Sequence, residues 1–500
     1  MSQALFALIV MLGLPGVLPA FAAVRRSAAV VFLAPLVGAA MAAVAVELEL
    51  GVGGSMLTWY VVLSVLVNAA VIAWWAAVRS SRRREAAPAW TWPVATVVVL
   101  GDAMVVPLTG LHALMFGHDA NSIWLTHALM VSGGHRVLLM DMKNPAYAFS
   151  NVDYPPLVPA ASALAFAHFG FSRLHLSVDV TGLLTACALG VMGGGIATAA
   201  ERQPPLQRAA AVILAASLCL VGFALAGDGA IDGRADLLWS AAATAAVIFG
   251  LVLPKSTQAL VPAGICAIVA SLTKNEGLTT ALIILVLVSL RYRPPSWRRR
   301  LPAGSGSRAL RRRVGPVIRS WWERAAFFVV PALPGLAWLG LVHLLGIRDR
   351  FFGTYSPESG SPESGGMRAG ATVSSVAPHL VVLPIAVGVL LLGAVFLHRN
   401  REGAGLGNPA WLWVVCLSYL GVLLLTYVVG SYEIHWWLKT SVSRTTIFPA
   451  LLLFAELGIW LIVALGPSGS SPGRATLHSR DGGVESQMSS RDSHLVTTGE

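Results

Sequence analysis

Apolar residues fall in long unbroken runs, and polar residues are confined to the gaps between them. The runs cover 4–24, 27–46, 56–78, 93–115, 177–199, 209–226, 237–253, 259–272, 277–290, 325–347, 378–397, 409–429 and 445–466, with a shorter one at 155–169. They show neither period-two alternation nor a heptad seam. Most approach the roughly 20 residues that a helix needs to cross a hydrocarbon core of about 30 Å. The expected fold class is therefore all-α, a polytopic transmembrane helical bundle of about 13 spanning helices.

The gaps set the orientation. Arg25/Arg26, Arg79 with Arg82–Arg84, the stretch from Arg291 to Arg324 and His398–Arg401 are basic, and Lys/Arg-rich loops stay cytoplasmic. Threading from these anchors places the N-terminus, Glu47/Glu49 and the loops 117–153, 348–376 and 430–444 outside, with the C-terminus inside. An odd number of crossings must then separate the 117–153 and 291–324 loops, yet six candidate segments lie between them. Parity is met if 155–169 is a juxtamembrane or re-entrant helix that does not cross. Glu201–Arg208 then becomes cytoplasmic, while the acidic loop Gly227–Asp236 and the short turn Lys274–Gly277 become external. If 155–169 spans and another segment does not, those signs largely invert. The Lys/Arg bias favours the first solution.

Composition removes other classes. The 500 residues are 56% hydrophobic and only 12% charged, with a mean hydropathy of +0.71; soluble chains carry about 25% charged residues. A net charge of +11 would suit nucleic acid, but the Arg residues sit in loops between apolar runs, so the charge reports orientation and no nucleic-acid partner is expected. Cys187, Cys219, Cys266 and Cys416 all lie inside apolar runs without CxxC or Cys/His spacing, which argues against a disulfide framework or a zinc site. From Ala4 to Val24 there is no charged n-region, so the first run is expected to span and not to be a cleaved signal. The chain divides into a three-helix membrane extension (1–88), a membrane core (89–466) and a polar, disordered cytoplasmic tail (467–500). With no soluble domain attached, any chemistry must come from helices and external loops.

Polar residues beside spanning segments are costly and therefore informative. The first external loop holds Gly117-His118-Asp119-Ala120-Asn121-Ser122-Ile123-Trp124 and ends Asn151-Val152-Asp153-Tyr154-Pro155-Pro156-Leu157, with His127, His135, Asp141 and Lys143 between. A lone acid past a helix end is an ordinary solvating group; this company, in a long loop, points to function. A second cluster, Thr273-Lys274-Asn275-Glu276-Gly277, puts an ammonium in a tight turn. Such a Lys either snorkels to headgroups or binds a phosphate as a point charge. The third, Glu433 to Arg444, carries His435, Trp436, Trp437, Lys439 and Arg444; its plain reading is an aromatic belt with snorkelling cations. The fourth, Asp228, Asp232, Arg234 and Asp236, reads as a solvated external turn.

These residues carry a resemblance. Asp119-Ala120-Asn121-Ser122-Ile123-Trp124, Asp153-Tyr154-Pro155-Pro156-Leu157, Thr273-Lys274-Asn275-Glu276-Gly277 and Thr440-Ser441 with Arg444 make the chain similar to polyprenyl-phosphate-sugar-dependent glycosyltransferases of the GT-C fold, related to the protein mannosyltransferase and aminoarabinose transferase families. The likeness spans about 93–466 and leaves the first three helices outside it. It implies a GT-C-like core whose long first external loop carries juxtamembrane helices. It implies Asp119 as catalytic base and Lys274 near the lipid phosphate, with Trp124, His127, Asp153, Tyr154, Glu276, His435 and Arg444 lining the substrate site. The implied partners are a polyprenyl-phosphate sugar donor, a glycan, lipid or protein acceptor, and membrane lipids. Where the family often has a Lys shortly after the motif's Trp, this chain has Thr126 and His127, leaving that contact to His127 or Lys143. A divalent cation shared by Asp119 and Asp153 is an open alternative to Lys274 and Arg444 for stabilising the leaving phosphate. The Ala/Val/Arg/Gly-rich composition fits a high-GC bacterium, in which lipid-linked mannose or arabinose are candidate donors. The expected location is the cytoplasmic membrane, multi-pass.

The competing class is a transporter or lipid flippase. It would place ionisable residues mid-membrane, as Asp102 in the 93–115 run does, and would show inverted repeats with broken helices. Apart from the short SPESG-SPESG duplication at Ser356–Gly365 in the external loop, no internal repeat is evident.

Overall fold

With few polar side chains to satisfy the backbone in lipid, the apolar runs close their hydrogen bonds internally as helices. The computed structural model describes residues 2–24, 29–78, 119–199, 205–226, 233–253, 257–292, 328–347, 365–380, 410–429 and 434–464. The helices are α1 (Ser2–Val24), α2 (Ala29–Val52), α3 (Met56–Val78), α4 (Thr126–Ser132), α5 (His135–Lys143), α6 (Leu157–Phe169), α7 (Leu176–Ala199) and α8 (Pro205–Ala226). They continue with α9 (Asp236–Val247), α10 (Thr257–Thr273) and α11 (Asn275–Arg291), then α12 (Phe328–Leu344), and α13 (Gly365–Val376), α14 (Ala410–Val429), α15 (Ile434–Thr445) and α16 (Ile447–Ala464). Two wide π-turns interrupt the pattern, Ala120–Leu125 ahead of α4 and Ile248–Val252 after α9. No strand occurs among the described residues.

The protein is a multi-pass membrane protein by helix length and hydropathy. Among the described residues seven helical stretches are long and apolar enough to cross, and four shorter apolar helices (157–169, 236–252, 259–273 and 328–344) accompany them. The expected runs at 93–115 and 378–397, the basic anchors Arg25/Arg26, Arg79–Arg84 and His398–Arg401, the 293–324 stretch and the 467–500 tail lie outside the described residues.

The core is built around α2, α7 and α9, which are enclosed, while α3 and α8 turn most of their surface outward. Small residues let these backbones approach, as expected where lipid supplies no hydrophobic drive between helices. A Cβ on Gly190 of α7 would lie 2.5 Å from the Phe32 ring of α2, and one on Gly38 of α2 would lie 1.8 Å from the Leu12 carbonyl of α1. The first two helices are thus packed into the body, α2 against α6, α7 and α10 and α1 against α10, while α3 packs on α1 and α2.

Three expectations change. Segment 155–169 is, as expected, too short to count among the crossing helices, but it is not exposed. As α6 it is enclosed by α2, α4 and α7, with every residue from Leu157 to Phe166 buried. Its apolar residues cover all faces, so no polar side exists to meet headgroups. At 13 residues it is about 20 Å long, short of a hydrocarbon core of about 30 Å. Second, Glu47 and Glu49 are not loop residues: α2 runs on to Val52, and both side chains are buried. Third, the expected 430–444 loop is helical from Ile434 onward, as α15, whose Ile434, Trp437, Leu438, Ser441 and Val442 face inward. The described part of the 117–153 loop, from Asp119 on, carries α4, α5 and a 3-10 turn at Pro145–Ser150.

Candidate functional site

Asp119 sits at the mouth of the first π-turn, Asp236 is the first residue of α9, and Lys274 is the extended residue joining α10 to α11. Arg444 lies in the last turn of α15. Packing brings these four ends together as one charged chain. Arg444 Nη1 donates to Asp119 Oδ2. Its Nε lies 3.6 Å from Asp236 Oδ2. Asp236 Oδ1 accepts from Lys274 Nζ at 2.7 Å, and the same ammonium is 3.5 Å from Glu276 Oε1. Below, Lys274 Nζ stands 5.6 Å from the centre of the Tyr154 ring, which leans on Trp124 at 5.8 Å. Asn275 Nδ2 donates to Asp153 Oδ2 at 2.7 Å, and Trp338 Nε1 of α12 to the Asp153 carbonyl at 2.8 Å.

Burial grades the cluster. The side chains of Lys274 and Asp236 are 4% and 8% exposed, against 20% for Arg444, 25% for Asp119 and 23% for Glu276. Lys274 and Asp236 form a floor, and Asp119, Glu276 and Arg444 a rim that a ligand can reach. Four carboxylates, those of Asp119, Asp153, Asp236 and Glu276, surround Lys274 and Arg444, and the charge of Arg234 also reaches Asp236. Burial alone would push the Lys274 ammonium down, but Asp236 and Glu276 outweigh it and hold its pKa above the ordinary lysine value. Burial, helped by Glu276 and Asp153, keeps the Tyr154 phenol far above its usual range, so it stays neutral.

The tight α10–α11 turn depends on Gly277, where a Cβ would fall 2.1 Å from the Ala270 carbonyl. Only hydrogen fits there, and the close approach aims Lys274 toward α9.

Of the residues expected at the site, Asp119, Trp124, Asp153, Tyr154, Lys274, Glu276 and Arg444 are brought together. His127 is not joined to them by hydrogen bond or ion pair. It is buried, 3.2 Å from Ser150 Oγ, and lines a small apolar cavity together with Tyr154, Val46, Met130, Leu138 and Trp338. Burial pushes its pKa down to about 4, so it is neutral at physiological pH and is no phosphate-binding cation. His435 stands exposed on the outer face of α15, and Lys143 is exposed at the end of α5. Asp236, expected as a solvated loop acid, is instead the buried link between the two cations. Asp228 and Asp232 lie outside the described residues. The shared-metal alternative does not fit the donors present. No group of three or more potential metal-ligating side chains occurs among the described residues, and Asp119 and Asp153 already accept from Arg444 and Asn275.

Comparison with protein-family models, curated proteins and solved structures finds no match for this chain, so the geometry of the cluster itself carries the functional reading.

Proposed function

We propose that the protein is a membrane glycosyltransferase of GT-C type, moving a sugar from a polyprenyl phosphate to a hydroxyl of a glycan, lipid or protein at the external face of the cytoplasmic membrane. One observation carries the reading: an acid, a lysine and an arginine from three distant stretches meet in a single rimmed cluster, with Asp119 and Arg444 paired across 325 residues. A base beside two cations is the donor set that phosphate-leaving transfer requires.

In this reaction the acceptor oxygen attacks the anomeric carbon and its proton passes to Asp119. The bond from that carbon to the phosphate oxygen breaks, and the lipid phosphate leaves with the electron pair. A positioned base contributes about 10²–10⁴ in rate. The charge growing on the leaving phosphate is met by Lys274 and Arg444 inside a partly dry site, where fixed charges act most strongly. The donor phosphate also competes with Asp119 for Arg444, and that exchange frees Oδ2 to accept the proton. A single displacement of this kind inverts the anomeric centre.

The test is transfer from a panel of labelled polyprenyl-phosphate sugars by membranes holding the full chain. Asp119→Asn should abolish transfer with expression and topology unchanged; substantial residual transfer sinks the assignment.

A second reading, a transporter or lipid flippase, draws on a different observation. Glu47, Glu49, Asp179 and Glu456 are all buried within spanning helices, where ionisable residues mark ion and substrate pathways. Gradient-driven movement of a lipid-linked sugar in proteoliposomes, lost in Glu49→Gln and retained in Asp119→Asn, would favour this reading over transfer.

A further inference from the structure

We infer that Asp236 is the positioning residue of the site: it holds Lys274 and Arg444 side by side so that one phosphate can engage both. The inference rests on the phosphate-lipid reading above and adds a residue that reading does not use.

The geometry is direct. Each carboxylate oxygen of Asp236 addresses a different cation, Oδ1 meeting Lys274 Nζ at 2.7 Å and Oδ2 facing Arg444 Nε at 3.6 Å. Two like charges gathered in a buried place repel each other, and an interposed carboxylate is what lets them stay close. Asp236 is fixed in turn by its place as the first residue of α9, a helix buried along its whole length, so its carboxylate starts from a rigid element. At 8% side-chain exposure it lies beneath the rim, where substrate reaches Arg444 and Glu276 first. It therefore acts through the cations and not on the sugar.

The remaining surroundings make the role testable. Lys274 faces Asp236, Glu276, the Tyr154 ring and Arg444, while Asn275 beside it is engaged by Asp153. Arg444 faces Asp119, Asp236 and Tyr154, and Asp236 is also reached by the charge of Arg234 two residues before it. Removing the Asp236 charge leaves Lys274 beside a like charge, with Glu276 as its nearest acid. Its ammonium then loses its proton more readily, so the defect deepens as pH rises and eases as pH falls. A merely structural role would not be rescued by protons.

The probe is farnesyl phosphate, with farnesol as its uncharged twin, titrated by tryptophan fluorescence into the purified full-length protein in detergent. Wild type should bind the phosphate and discriminate against the alcohol. Asp236→Asn should bind farnesyl phosphate roughly 30-fold more weakly than wild type at pH 8.5, the loss expected for truncating one partner of a buried charge pair. The ratio to wild type should narrow severalfold at pH 6. Asp236→Glu keeps the charge but moves the carboxyl by one methylene, and should weaken binding about three- to tenfold, as small misplacements do. If Asp236→Asn does not accumulate, Asp236→Glu carries the test, and wild-type affinity in that variant overturns the inference. Wild-type affinity in Asp236→Asn, or a deficit of equal size at both pH values, overturns it while leaving the phosphate-lipid reading intact. Failure of wild type to distinguish farnesyl phosphate from farnesol overturns both.

Discussion

Replacing Lys274 by Met removes the central charge of the cluster while keeping most of its volume. At 2.7 Å the attraction between its ammonium and Asp236 is about 6 kcal/mol at an effective dielectric of about 20. Desolvation of two nearly buried ions offsets most of that, so the pair as a whole adds little net stability. Breaking it is another matter. Asp236 would remain buried with only partial compensation, from Arg444 at 3.6 Å and from Arg234, so the cost falls at the low end of the roughly 3–5 kcal/mol for breaking a buried pair. At about 1 °C per kcal/mol for a chain of 500 residues, the apparent melting temperature in detergent should drop by about 3 °C, read by the loss of the monodisperse peak after heating. Adding Asp236→Asn removes the stranded charge, and the double variant should recover to within about 2 kcal/mol of wild type. A double variant that melts as low as Lys274→Met would refute the reasoning, because the two side chains would then not be coupled.

Two further outcomes follow from neighbouring features. His127 has a folded-state pKa of about 4 against an unfolded value of about 6.5, so the unfolded chain binds the proton first on acidification. Its contribution is fully present above pH 6.5 and is lost as pH falls toward 4, amounting to about 3 kcal/mol; His127→Gln should flatten that part of a melting-temperature profile, and an unchanged slope would contradict it. Gly277→Ala forces a methyl onto the Ala270 carbonyl at 2.1 Å, so it should cost at least about 3 kcal/mol by overpacking and be recovered from membranes in much lower yield than Gly421→Ala, where no atom lies within 4 Å.

How far the sequence led depends on which physical signal each residue carried. Asp119, Lys274 and Arg444 were legible because charges beside apolar runs are costly, and three of them assigned to one side suggested a shared purpose. Asp236 carried the same type of signal but was read as a solvating acid, because an acid at a helix start usually is one. Its distinguishing mark was in the chain all along: Leu237-Leu238-Trp239 follow with no polar residue to keep the helix start in water. Helix α6 misled for the opposite reason. Parity assigned it to a surface, whereas Leu157-Val158-Pro159-Ala160-Ala161 and the residues after them offer no polar face, a pattern of a helix enclosed by others. Glu47 and Glu49 were lost to the habit of ending a helix at its first acid. His127 was drawn to the site by its position three residues past Trp124; helix rotation sends it toward Ser150 instead. Trp338 had no sequence signal at all, because its role is a single bond to a carbonyl 185 residues away.

The Asp119–Arg444 pair also constrains how the protein is made. Chains enter the membrane from the N-terminus forward, and Asp119 is in place long before Arg444, 325 residues later, is synthesised. Until α15 docks, Asp119, Asp153, Asp236 and Glu276 have Lys274, and Arg234 beside Asp236, to balance them. The half-built bundle therefore holds an excess of acid at Asp119 that the late-arriving arginine relieves. Ribosome stalling or truncation before α15 would leave a chain that threads the bilayer yet lacks a settled centre, and such a species is a natural substrate for membrane quality control.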